Sequence, residues 1–421
     1  MNEQTSASQV IEALRKGLPP QRGTSLYAVG HERLMQGVKQ FHLGGIADKG
    51  IIRFISGSWG AGKTHFFRLM RELAFDEGCL VSNVELSVDE APLNKFERVL
   101  YGILRNVNTP SHFHENAAAS AAPFGIVLRE AMSFLASGQH GTALPVTHEV
   151  YATACEKLMA CTAIDIDFRK IVKQYWETYL PDSPDPVAVS QARDEILQWF
   201  SGEGARTTYR KKYDVSKMVD RSNAKIILLS LAAFIQLVGY KGLVILFDEA
   251  EMSYSVMRKS ALKDAHNNLL HLINSVEGLP GLFLLYATTP DFYTDPKHGI
   301  VIFGALQTRI GKPEDKSPRA LDVVWNLDAI KFELAQYQEV GRKIRRVYAL
   351  AYPEVAHRLP TDELVDAFVA DLLEMHPSLA QVRFWRVLTA GTVRLLDDAL
   401  EGEVLTTKET YRGVMEVLRE S

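Results

Sequence analysis

"IIRFISGSWGAGKTHFFRLM", Ile51 to Met70, decides how the rest of the chain is read. It opens as a short apolar run, Ile51 to Ser56, bounded by a glycine-rich turn, which predicts a buried strand. It continues from Thr64 to Phe75 with helical spacing. Between them, Gly57-Ser58-Trp59-Gly60-Ala61-Gly62-Lys63-Thr64 fits G-x-x-x-x-G-K-[ST] at every defined position. Strand before and helix after is the context that motif needs. Glycines let backbone N–H groups curl around phosphates, and the start of the helix turns its positive end toward them. Lys63 is expected to reach the β- and γ-phosphates of ATP. Thr64 is expected to coordinate Mg²⁺, which takes few protein ligands. Trp59 and His65 complete the stretch. They do no phosphate chemistry and are expected to pack or to meet a partner surface.

Val81 to Leu86 is a second strand candidate, Leu243 to Phe247 and Leu282 to Ala287 are two more continuous apolar runs, and Val323 to Leu327 is a candidate fifth strand. Continuous apolar runs are typical of strands buried on both faces of a parallel sheet. Strands alternating with helices predict an α/β sandwich. The stretch between the second and third strands reads as helices punctuated by Pro and Gly. It is expected to be a helical insertion, 108–220, in an α/β core of 51–107 and 221–327. Residues 1–50 form an N-terminal segment, and 328–421 read as a helical lid domain.

Composition narrows the function classes. Hydrophobic residues make up 47% and charged residues 23%, as in globular proteins. The net charge of -4 gives no reason to expect a general nucleic-acid coat. No run of about 18 apolar residues is present, so no membrane span is expected. The N-terminus lacks an apolar signal core. Three cysteines, Cys79, Cys155 and Cys161, match no metal spacing and fit free thiols in the cytoplasm.

"LVILFDEAEMS" supplies a second half-site. Asp248 ends an apolar strand and would hold Mg²⁺ through water. Glu249 would polarise the attacking water as general base. A helicase reading of "DEAE" would need a second motor domain, and the remaining chain reads as helices. In "LFLLYATTPDFY", Thr288 would touch the γ-phosphate or orient the water, with Thr289 as its neighbour. Arg309, in "ALQTRIG", would reach a neighbouring subunit's γ-phosphate, or is a surface arginine. Arg383 and Arg386 share a helical face in "QVRFWRVL". Arg383 would close from the lid, or either makes a structural salt bridge.

Together these residues resemble the AAA+ ATPases, nearest the origin-recognition/archaeal-initiator branch. The resemblance implies a three-layer P-loop sandwich with a central parallel sheet. It also implies an adenine-side glycine box at Val29-Gly30-His31. That branch usually has arginine where His31 stands, which leaves His31 as a packing contact. "YAVGHERLM", "FISGSWGAGKTHFF", "ELSVDEAPLNKFERVLYGIL" and "LVGYKGLVILFDEAE" are similar to the BREX-system ATP-binding protein family of the BrxD type. That likeness implies a bacterial anti-phage defence ATPase, often working with a helicase-like partner. The expected activity is an oligomeric motor or loader acting on DNA or a DNA-bound protein. The competing expectation is a slow-turnover nucleotide switch. A non-hydrolysing scaffold is disfavoured by Glu249.

Three other clusters invite weaker readings. His112, His114 and Glu115 could ligate a metal only if extended, and their flanks read as a loop. "YRKKYD", Tyr209 to Asp214, and "GRKIRRVY", with Arg342, Arg345 and Arg346, are basic stretches with aromatics. They are either phosphate-backbone contacts or solvated helix faces.

Overall fold

A computed structural model describes residues 3–87, 91–115, 124–140, 144–181, 185–248, 258–277, 279–375, 384–402 and 406–420. The apolar runs become strands β1 (Ile51–Ser56), β2 (Leu80–Glu85), β4 (Leu243–Asp248), β5 (Leu282–Thr288) and β6 (Val324–Asn326). Strand β3 (Val107–Asn108) joins them, giving a six-stranded sheet of order β3-β2-β4-β5-β1-β6. β2, β4 and β5 are parallel neighbours, with Ser82 opposite Ile245 and Ile245 opposite Leu284. β5 is buried along its whole length, and β4 at every residue but Asp248. That is why both lack polar alternation. β3 runs antiparallel to β2, pairing Val81 with Asn108, so the sheet reaches into the start of the stretch expected to be insertion.

The chain divides into two compact units. The first comprises residues 1–38, 55–73 and 313–421. Its core is helical. Helix Glu3–Arg15 buries Ala7, Val10, Ile11 and Leu14 among Val340, Ile344 and Val347 of helix Leu334–Ala351 and Val387 and Leu388 of helix Phe384–Glu401. Gly341 allows a close helix crossing, because a Cβ there would lie 2.8 Å from Val365. Arg15 grips Asp397 through two donors, at 2.8 and 2.9 Å, and Tyr348 donates to the same carboxylate at 2.7 Å.

The second unit comprises residues 39–54 and 74–312. It holds most of the sheet and a run of helices: Phe124–Ser137, His148–Ala160, Ile166–Glu177, Pro186–Gln198 and Arg206–Tyr213. Three of their starts carry side-chain caps. Thr147 accepts from the Val150 N–H, Asp165 from those of Asp167 and Phe168, and Asp185 precedes a Pro at the first helical turn. Two buried indoles lock the packing by donating to backbone carbonyls: Trp176 to Leu128 at 2.6 Å and Trp199 to Lys217 at 2.8 Å.

One local expectation is corrected here. Residues 110–115 form a helix, not a loop, because Pro110 is pre-set for a first helical position. His112 is buried in it and its Nδ1 shares a hydrogen bond with Asn108 at 3.1 Å. Among the described residues no cluster of His, Cys, Asp and Glu could hold a metal ion. No described helix is long and apolar enough to cross a membrane.

Candidate functional site

The turn after β1 takes the shape its glycines permit. Gly60 and Gly62 have φ of 82° and 92°, a region other residues enter at a cost. Around Gly62 a Cβ would meet nothing, so backbone conformation alone demands glycine there. Gly57 is required by space as well: a Cβ would lie 3.0 Å from that of Ala61 and 3.4 Å from Lys63 Cγ. The helix Lys63–Asp76 begins directly after Gly62, and the Phe66 N–H bonds back to the Gly62 carbonyl at 2.8 Å. The Lys63 ammonium folds back over the turn, donating to the Gly57 carbonyl at 2.8 Å. It also lies 5.6 Å from the centre of the Trp59 ring, which is 59% exposed.

One face of that helix is tied to the N-terminal segment. Glu72 accepts from the backbone N–H groups of Thr24 and Ser25, at 2.8 and 3.0 Å. Arg68 donates to the Pro19 carbonyl and Arg71 to that of Gln21. His65 Nδ1 and the Tyr27 hydroxyl are 3.2 Å apart. His65 therefore packs sideways on Tyr27.

Val29, Gly30 and His31 are brought to the same helix. The His31 ring stands edge-on to Phe66 at 5.5 Å and to Phe332 at 6.1 Å, and lies 6.1 Å from the His65 ring. Gly30 has φ of 87°, and a Cβ there would overlap the Phe332 ring. Burial drives both histidines toward the neutral form. His31 is pushed down to about 4 despite Glu32, and His65 to about 3, with His31 and Arg68 adding to the effect. His31 Nδ1 is buried and makes no hydrogen bond among the described residues.

Asp248, Thr288, Thr289 and Arg309 belong to the second unit. Asp248 is the last residue of β4, opposite Glu85 of β2, and is partly buried. Thr288 is the last residue of β5 and is fully buried. Its hydroxyl donates to the Tyr293 hydroxyl at 3.0 Å, and burial raises the Tyr293 pKa. Thr289 is also buried. Arg309 sits on the short helix Gly304–Ile310 and pairs with Glu277 at 3.1 Å, both about half exposed. Glu249 and Arg383 lie outside the described residues. Arg386 is exposed on helix Phe384–Glu401.

The arginine stretch of helix Leu334–Ala351 meets acids of its own chain. Arg342 pairs with Glu339 and Asp366, Arg345 with Asp362, and Arg346 with Glu339.

The strand-loop-helix turn thus combines glycines at positive φ with a lysine folded back over it. The family described as BREX system ATP-binding protein BrxC/D has a model that matches residues 3–413 of the 421. The chain belongs to the BrxC/D family. It is an ATP-binding protein of the BREX phage-defence system. Comparison with curated proteins and with solved structures returns no match. The match spans the helical segments as well as the loop after β1.

Two residues that no sequence motif marks touch these segments. Asp328 accepts from both the N–H and the hydroxyl of Ser58, at 2.8 and 2.9 Å. Phe332 walls the glycine box. Neither has a fixed spacing from the phosphate loop, so only the fold reveals them.

Proposed function

We propose that this BrxC/D protein hydrolyses ATP, with Gly57 to Thr64 as the phosphate cradle. The observation that carries the reading is the backbone of Gly60 and Gly62 together with Lys63 over the turn. Lys63 neutralises the phosphates. The neutral His31 and Val29-Gly30 take the adenine side, as the resemblance to the AAA+ origin-recognition branch and to the BrxD type implies. Thr64 and Asp248 are the side chains that would hold Mg²⁺, which would neutralise phosphate charge. Glu249 polarises the attacking water. Thr288, engaged with Tyr293, positions the end of β5, with Thr289 beside it. Arg309 serves a neighbouring subunit of a homo-oligomer, and Arg383 closes from the helical domain 328–421. The motor or loader then acts on DNA or on a DNA-bound or helicase-like defence partner in the cytoplasm.

A switch is the second reading. It is favoured by the direct bond from the phosphate loop to Asp328, at the entry to the C-terminal helices. Turnover separates the two. Glu249→Gln should keep ATP affinity within about threefold and lower hydrolysis by a factor of about 100 or more. Normal hydrolysis in that variant would place the base elsewhere. Stimulation of wild-type turnover by DNA, with an ATP-dependent rise in mass, supports the motor. A slow, unstimulated, ATP-bound monomer supports the switch.

A further inference from the structure

Residues 325–332 form a strap that touches the nucleotide-side elements at several points, all within the first unit. Trp325 stands edge-on to Phe66 at 5.9 Å. A Cβ on Gly57 would lie 3.6 Å from that of Leu327, so the strap and the loop backbone are in close packing. Asp328 takes the Ser58 N–H and Oγ–H. Phe332 covers Gly30 and His31, and stacks edge-on to Trp385 of the C-terminal helices at 4.7 Å. The strap is held in register from behind. The Asn326 side chain accepts from the Asp328 N–H and donates to the Glu314 carbonyl. Directly after it, Glu333 and Gln336 form a capping box that starts helix Leu334–Ala351.

Asp328 is unusual in this setting. It places a carboxylate on the first variable residue of a loop built for anions. A carboxylate accepting from N–H and O–H makes a charge-assisted bond, and its charge opposes that of phosphates in the adjoining cradle. Two anions that favour the same region are coupled, and the coupling is reciprocal.

We propose that Asp328 is a latch that phosphates of a bound nucleotide displace from Ser58, so that filling the loop releases the strap at the entry to the C-terminal helices. The proposal rests on the phosphate-loop reading above. Occupancy is then passed on by loss of the two Ser58–Asp328 hydrogen bonds. Trp325 and Asn326 hold the near end of the strap while residues 328–332 loosen.

The test uses the full chain and ATP as the probe. Binding is measured by calorimetry, and backbone hydrogen exchange of peptides covering 326–336 is followed with and without ATP. In the wild type, ATP should raise exchange there. Asp328→Ala should bind ATP about 3- to 10-fold more tightly, in the lower range of coupling between sites. Its 326–336 exchange should be high before ATP is added. Asp328→Asn, which keeps an acceptor oxygen without the charge, should fall between the two. Ser58→Ala, which loses only the hydroxyl donor, should tighten binding less than Asp328→Ala. Affinity in Asp328→Ala that is unchanged or weaker, or exchange at 326–336 that ATP does not alter in the wild type, overturns the latch. Lys63→Ala distinguishes the two levels. If it abolishes binding while Asp328→Ala fails to tighten it, only the latch falls. If it binds ATP like the wild type, the phosphate-loop reading falls and the latch with it.

Discussion

The turn after β1 and the end of β5 begin alike in sequence and end differently in structure. Both place small polar residues directly after an apolar strand. At the first, positive φ at Gly60 and Gly62 turns the backbone outward and leaves Ser58, Lys63 and Thr64 partly or fully exposed. At the second, Thr288 and Thr289 remain buried, and the Thr288 hydroxyl is bonded to Tyr293. Polar residues at a strand end are at least partly exposed at the first turn and buried at the second. The glycines of the first turn make that difference, and the second has none.

The comparison can be broken most severely at a glycine. Gly30→Ala combines a φ of 87° with a Cβ that overlaps Phe332. The left-handed conformation alone costs about 1–2 kcal/mol and ring displacement adds to it. Urea unfolding should show a loss of at least about 2 kcal/mol. A fully stable variant would mean that Phe332 does not wall the glycine box.

Thr288→Val tests the other side. Removing the hydroxyl leaves the buried Tyr293 oxygen without that partner, a loss of about 1–3 kcal/mol. ATP affinity should stay within about twofold. Unchanged stability with a large loss of affinity would return Thr288 to the phosphates, where its position in the sequence first suggested it belonged.

A smaller and graded effect comes from pH. His31 and His65 have folded-state pKa values of about 4 and about 3, below the ordinary histidine value of about 6.5. The unfolded chain therefore takes up protons first as pH falls. The stability from keeping these rings neutral is complete above about pH 6.5 and is lost progressively from there toward pH 4. The urea midpoint should drop over that window, and the drop should shrink in His31→Gln. A midpoint flat from pH 7 to 4 would deny that the rings are held neutral between the loop helix and Phe332.

Sequence alone located these strands to within one or two residues: β1, β4 and β5 are largely apolar runs, and β2 alternates buried and exposed residues toward its end. It did not show β3, which is two residues long and has no run to detect. Helix 110–115 was hidden by a Pro that reads as a breaker in a loop and as a first-turn residue in a helix. Arg342, Arg345 and Arg346 read as a basic patch because two of the acids that pair with them, Asp362 and Asp366, come from the next helix. The shape of the turn after β1 is legible because its pattern is local: glycines, a lysine and a threonine at fixed spacing. Asp328 is not, because its partner Ser58 is 270 residues away.

The claim everything else depends on is that this loop holds the phosphates of ATP. Equilibrium binding of ATP to the wild type and to Lys63→Ala, on protein shown to be folded, tests it directly. The account predicts that the variant loses affinity by a factor of about 100 or more, because a charge-assisted contact to the phosphates is gone. ATP bound equally tightly by both would contradict it.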